Sequence, residues 1–507
     1  MHPTDIAGEL IREFTSAGFT SDSIAAHLGP DAMEALFRGE PGAVVEACDD
    51  SRLSGLVRFF LVREKMTAEQ LSEFLPARLV LSLIDAAVVS PTPSGDLEIA
   101  LDIRPHIIAG RDRFIFSDLD ASMTDHVPGP DHVLGVGAAS LSLLSATPLT
   151  PVDSVLDLGT GSGVQALAQS GCAERVVATD VHERALILAD ATMAGAEVTN
   201  VDLRHGSWFE PVEGERFDRI VANPPFVVGL PEVGHVYRDS GLDLDGATEL
   251  VVSSAPDYLE DSGSAFILGS WVHTSEQSWE QRVASWFPST GVSAWVLQRD
   301  VVDPALYVST WLKDESVDPR SANGIARTRQ WLAHFREEDV RAVGFGWIFI
   351  RKIGDAPTEV VTETLSQPFT DPLGPEVEEY FVRMEWLRET SISDVLDARY
   401  ALRPGIALED VSLADAETGM GFAPEVKRIT RTDGPRFSHE IDDAVAAVIA
   451  GLNPDGLPLR DIVSLWAASH GLDDDAEEAL AHDAAGVIVD LIRHGFVLPA
   501  DLISLNS

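Results

Sequence analysis

The stretch Val155-Leu156-Asp157-Leu158-Gly159-Thr160-Gly161-Ser162-Gly163 decides how the rest of the chain is read. Its apolar start is a short strand pattern. Gly159, Gly161 and Gly163 break that pattern into a tight turn, and an apolar helical stretch, Val164 to Gln169, follows. Glycines at such a turn let the backbone reverse and let a ligand come close to the main chain. The helix start adds N–H groups that lack a partner within the helix.

Several nucleotide-type sites share a glycine-rich loop, so the details matter. The spacing is G-x-G-x-G rather than G-x-G-x-x-G. Asp157 stands two residues before the first glycine, where it can face the loop. A carboxylate there repels a pyrophosphate and attracts a cationic ammonium. S-adenosylmethionine, with an α-ammonium, a sulfonium and no phosphate, suits that charge. About 20 residues on, the strand pattern Val176-Val177-Ala178-Thr179 ends in Asp180, an acid placed to accept the two hydroxyls of a ribose.

A third segment, Val221-Ala222-Asn223-Pro224-Pro225-Phe226, follows the apolar run Arg219–Ala222 and so falls at a strand's carboxyl end, where open α/β sheets bind ligands. The two prolines remove two backbone donors and stiffen the loop. Their free carbonyls, with the side-chain carbonyl of Asn223, offer acceptors for one –NH2 group. An amide or arylamine nitrogen is a poor nucleophile because its lone pair is delocalised. Pulling both N–H groups out of plane favours a tetrahedral nitrogen whose lone pair can meet a methyl group in line. Phe226 can stack on a flat amide or base. A tight turn with a buried Phe is the structural alternative.

Around these motifs, residues 131–353 alternate short apolar strands with helical stretches, the pattern of a parallel α/β sheet covered on both faces. The expected strands are 154–158, 175–179, 218–222, 264–269, 291–298 and 343–351. Residues 1–130 read as helices followed by strand patterns at 97–103 and 114–116; Thr67 to Gln70 has the form of a capping box. Residues 354–507 read as an α+β accessory domain with strand fragments at 380–384 and 426–429 and helices after 440. A winged-helix module and some other α+β accessory fold are both open for each end.

At these residues the sequence resembles the class I S-adenosylmethionine-dependent methyltransferases with an Asn-Pro-Pro-aromatic motif, over roughly 131–353. Within them it is most similar to the HemK/PrmC-like protein-(glutamine-N5) methyltransferases. Asp157 to Gly163 matches the cofactor loop, and Gly206-Ser207-Trp208-Phe209 matches the segment whose aromatic covers the adenine. The stretch from Tyr237 to Gly246 is similar to that family's Gly-Leu-Asp-Gly segment. The resemblance implies a Rossmann-like fold with a mostly parallel seven-stranded sheet, flanked by smaller, mainly helical terminal domains. It implies S-adenosylmethionine as cofactor, held by Asp157, Gly159, Thr160, Gly161, Gly163, Asp180, Val181, Ser207, Trp208 and Asn223. Asn223, Pro224, Pro225 and Phe226 would bind the target nitrogen, on a glutamine of a protein such as a release factor. The family usually has Tyr where Phe226 stands. Phe there is common among ribosomal-RNA guanine-N2 methyltransferases, in which a His tends to follow, whereas here Val227 does.

Charge bears on the substrate. The 507 residues carry a formal net charge of −46, and Lys occurs only at 65, 313, 352 and 427. Such a surface repels phosphate backbones and anionic lipid heads at long range. A protein substrate is therefore favoured over RNA or DNA, with a base amino group as the alternative acceptor and Arg238 as the one cation near the Asn223 loop. A non-catalytic cofactor-binding module is the alternative of another class. The two cysteines, Cys48 and Cys172, are far apart, and the His residues show no ligand spacing, so no metal is expected. The first 20 residues lack the apolar core of a signal peptide and no run is long enough for a bilayer, so a cytoplasmic protein is expected.

Overall fold

A computed structural model describes residues 1–124, 129–230 and 240–504, and the chain divides into two compact units, Met1–Thr364 and Leu365–Ser507. The first unit opens with the helices Pro3–Ser16, Ser21–Arg38, Pro41–Glu46, Arg52–Leu56, Ala68–Phe74 and Ala77–Asp85. Ile6, Leu10 and Phe14 recur at helical spacing and are buried on one face. Phe14 meets Phe19 and Phe60 with ring centroids 4.7 Å apart in each case. The capping box at Thr67 forms as expected, with Gln70 N–H donating to Thr67 Oγ1 at 3.2 Å and Thr67 N–H to Gln70 Oε1 at 2.8 Å. Leu97–Ile99 pairs back with Val89–Pro91, while Asp102–Ile108 and Arg111–Ser117 form a separate antiparallel hairpin.

The centre of this unit is one sheet. Its strands are β1 (Val152–Leu158), β2 (Ala173–Asp180), β3 (Val201–His205), β4 (Phe217–Ala222), β5 (Leu259–His273), β6 (Thr290–Val302), β7 (Ala342–Pro357) and β8 (Glu359–Thr364). Their order across the sheet is 3-2-1-4-5-7-6-8, with β7 antiparallel to both neighbours and the other pairings parallel. The near-continuous apolar runs of β1 and β4 are what strands covered on both faces require: Leu156, Leu158, Ile220 and Ala222 are all buried in one core cluster. The Rossmann-like α/β expectation holds, with eight strands rather than seven. The extra one, β8, is an edge strand whose residues are all partly or fully exposed. With little apolar burial, its sequence carries little strand signal. The helix Glu183–Gly195 that follows β2 shares a core with the N-terminal helices, and at Gly195 an added Cβ would lie 3.1 Å from Ile11.

The second unit begins with the helix Gly374–Glu389. The expected strand at 380–384 lies within it. Val377, Tyr380, Phe381 and Met384 are buried at the 3, 4 and 7 spacing of a helix face rather than at the alternate positions of a strand. The strand expected at 426–429 is part of Phe422–Arg431, which pairs with Ile406–Ala414 as a hairpin. The helices Asp443–Ala450, Leu459–Ser469 and Asp474–Arg493 follow. Glu376 accepts from Arg383 and from Arg431, each at 2.7 Å, with all three side chains buried. Burial alone would raise the Glu376 carboxyl, but the two guanidiniums outweigh it and hold it at about 2.

Candidate functional site

Register brings the motifs together. Leu158 at the end of β1 pairs with Thr179 of β2 on one side and with Ala222 of β4 on the other. The glycine turn, Asp180 and Asn223 therefore leave the sheet side by side at its carboxyl edge. Gly206-Ser207-Trp208 leaves β3 one strand further along.

The turn is built by its own backbone. Gly159 N–H and Thr160 N–H both donate to the Thr179 carbonyl, at 3.0 and 2.8 Å. Gly161 and Gly163 have φ of +55° and +85°, the left-handed region that side chains disfavour. At Gly163 an added Cβ would stand 2.9 Å from Met193 Cε and 3.3 Å from the Ala189 backbone, so the helix Glu183–Gly195 packs directly on the turn. At Gly161 nothing lies within 4 Å of that position.

Asp157 has a different placement from the one its sequence position suggests. It is buried, and its Oδ2 accepts from Thr160 Oγ1 at 2.6 Å and from Ala166 N–H at 2.9 Å. Its carboxylate thus ties the turn to the helix Val164–Gln169. Burial pushes its carboxyl up to about 6, against the lowering effect of those two hydrogen bonds. Asp180 accepts from Gly161 N–H and His182 N–H, both at 2.9 Å, and burial likewise raises its pKa.

These elements enclose a cavity of about 380 Å³. Gly159, Thr160, Gly161, Asp180, Val181, Ser207, Trp208, Asn223, Pro224 and Pro225 all line it. Asp157, Gly163 and Phe226 do not: the first two support the turn from behind, and Phe226 is half-buried outside the lining. Residues 237–239, including Arg238, lie outside the described residues. The sequence reading missed the strap Asp131–Gly135, which forms another wall. Asp118 holds this strap: its N–H donates to the Val133 carbonyl at 3.0 Å and its Oδ2 accepts from Val133 N–H at 2.8 Å. Asp118 also accepts from Arg184 Nε at 3.0 and 3.1 Å. The strap has no periodic pattern to reveal it.

The lining suits S-adenosylmethionine. The volume is that of a small-molecule site, the glycines of the turn approach it without side chains, and the half-buried Asp180 lines it. None of the described lining residues is Lys or Arg, the usual partners of a cofactor phosphate. Among the described residues no group of three His, Cys, Asp or Glu is placed to hold a metal ion, and no helix is long and apolar enough to cross a membrane.

Residues 135–287, which carry the glycine turn and Asn223, match the family model described as methyltransferase small domain. Among curated proteins the chain is similar to release factor glutamine methyltransferases. It is 36% identical to that of Aliivibrio fischeri over 126 residues, 24% of this chain and 42% of the relative. It is 33% identical to that of Shewanella oneidensis over 173 residues, 31% and 57% respectively. The chain thus spans about half the length of the curated relatives it matches. A solved T. thermophilus 16S rRNA N2 G1207 methyltransferase (RsmC), in complex with AdoMet and guanosine, aligns at 18% identity over 43% of this chain and 61% of that one, with a TM-score of 0.27. The flanking regions 16–99 and 378–499 match two families described as domains of unknown function, DUF7059 and DUF7782.

Proposed function

We propose that the protein is an N-methyltransferase that modifies the side-chain amide of a glutamine in a protein, such as a peptide-chain release factor. The observation that carries this reading is that one cavity is walled both by the glycine turn with Asp180 and by Asn223-Pro224-Pro225. The donor site and the acceptor loop therefore open onto each other.

S-adenosylmethionine, when bound, supplies an electrophilic methyl group. The chain's own residues do the rest. Gly159 to Gly161 receive the cofactor against bare backbone, and Asp180 accepts from its ribose. The Asn223 side-chain carbonyl and the carbonyls of the proline pair accept the two N–H groups of the target amide. That arrangement localises the nitrogen lone pair and aims it at the cavity, so the acceleration comes from positioning.

Three facts support a protein acceptor: the net charge of −46, the lack of Lys and Arg among the described lining residues, and the glutamine-modifying relatives. The test is to incubate the protein with methyl-tritiated S-adenosylmethionine and purified release factor, then map the label by mass spectrometry. Label on a glutamine side chain is expected. Label that appears only with cell lysate and disappears with RNase would assign the acceptor to RNA instead.

A further inference from the structure

Between β6 and β7 the chain leaves the sheet for two helices, Pro304–Asp314 and Ala322–Glu337. Their inner faces close on Val227 and Val228 in an apolar cluster separate from the core of the sheet. Tyr307 is buried at the centre of it, its ring stacked on Phe345 at 5.8 Å. Its Oη accepts a hydrogen bond from Val228 N–H at 2.6 Å. From the other side Ser270, buried on β5, donates its hydroxyl to the Phe226 carbonyl at 2.5 Å. The approach is close throughout: an added Cβ at Gly229 would lie 3.0 Å from the Trp331 ring.

A loop with two prolines has two N–H groups fewer with which to fix itself. Buried backbone groups still need partners, and here side chains from outside the loop supply them. We infer that the helix pair 304–337 is a clamp on the acceptor loop, with Tyr307 and Ser270 as positioning residues. They act on the backbone just after Pro225 and so set where the Asn223 and Pro225 carbonyls point. A displacement of about 1 Å at such a site is enough to cost up to 10²-fold in rate. The inference rests on the acceptor role proposed above for this loop.

The test is Tyr307→Phe in the full-length protein, which removes one hydroxyl and keeps the ring. Amide hydrogen exchange should become about fivefold faster in peptides covering 222–230, the equivalent of one lost hydrogen bond. The Kd for S-adenosylhomocysteine should stay within twofold. With release factor as acceptor, kcat should fall about tenfold at unchanged KM for the donor. Ser270→Ala should reproduce the pattern. Leu312→Ala, in the same cluster but five residues further along the helix, should lower Tm while exchange in 222–230 stays as in the wild type. Unchanged exchange in that segment, or faster exchange with unchanged kcat, would overturn the clamp. Failure of the wild-type protein to methylate glutamine would instead overturn the proposed function and leave the exchange result standing.

Discussion

Two alanine substitutions two residues apart in the glycine turn should have opposite signatures. At Gly163 the new Cβ meets Met193 Cε at 2.9 Å and the Ala189 backbone and Cβ at 3.3 Å. The methionine tip can move, but Ala189 sits in a helix interior and cannot. Holding a side chain at φ +85° costs about 1–2 kcal/mol. Overpacking adds about 1–3 kcal/mol. Restricting the unfolded chain returns about 0.4–1 kcal/mol. Gly163→Ala should therefore destabilise the protein by about 1–5 kcal/mol. At Gly161 the φ of +55° carries a similar strain but nothing lies within 4 Å, so the overpacking of about 1–3 kcal/mol is absent and the net loss should be about 0–2 kcal/mol. That Cβ instead enters the space a ligand needs. Gly161→Ala should weaken S-adenosylhomocysteine binding by about tenfold or more, a loss of about 1.4 kcal/mol. Urea unfolding and calorimetric titration of both variants measure the two quantities. Equal stability losses, or a Gly161→Ala variant that binds as the wild type does, would refute this account of the turn.

Other perturbations separate binding from turnover. Asn223→Ala removes the proposed acceptor for the reacting nitrogen and should lower kcat by about 10²–10³-fold, with the cofactor Kd changed only a few-fold in calorimetry. Asp180→Ala removes the proposed ribose acceptor and the anchor of Gly161 N–H, so it should raise the cofactor KM by about tenfold in steady-state assays. Asp157 gives a pH signature. Its folded-state pKa of about 6 lies above the unfolded value of 3.8, so between those values the folded chain keeps a proton that the unfolded chain has released. The contribution of this carboxyl to stability therefore falls as pH rises from about 4 to about 6, by up to about 3 kcal/mol at roughly 1.4 kcal/mol per unit. In urea unfolding across that range the stability of the wild type relative to Asp157→Asn should fall by that amount; parallel curves would contradict it.

The strand–turn–helix at Val155–Gln169 was legible because its glycines stand where the backbone takes left-handed angles that other residues avoid. Asn223 was legible because it directly follows an apolar run that could only be a buried strand. Side-chain direction was not: the position of Asp157 says that it can reach the loop, but its burial beneath Thr160 and Ala166 depends on how the turn folds over it. The strap Asp131–Gly135 and the edge strand β8 lacked periodic burial, so nothing in their residues marks them. Tyr307 could not have been found from the sequence, because it lies 79 residues from the amide it receives.

The claim on which the account depends is that donor and acceptor meet in one cavity beside the glycine turn. A crystal structure of the complex with S-adenosylhomocysteine tests it most directly. The adenosine should lie between Asp180 and Trp208, with the sulfur turned toward Asn223, leaving room for a methyl group and an acceptor nitrogen at a reacting distance of about 3–3.5 Å. A ligand bound elsewhere, or a sulfur facing away from Asn223 and the proline pair, would contradict it.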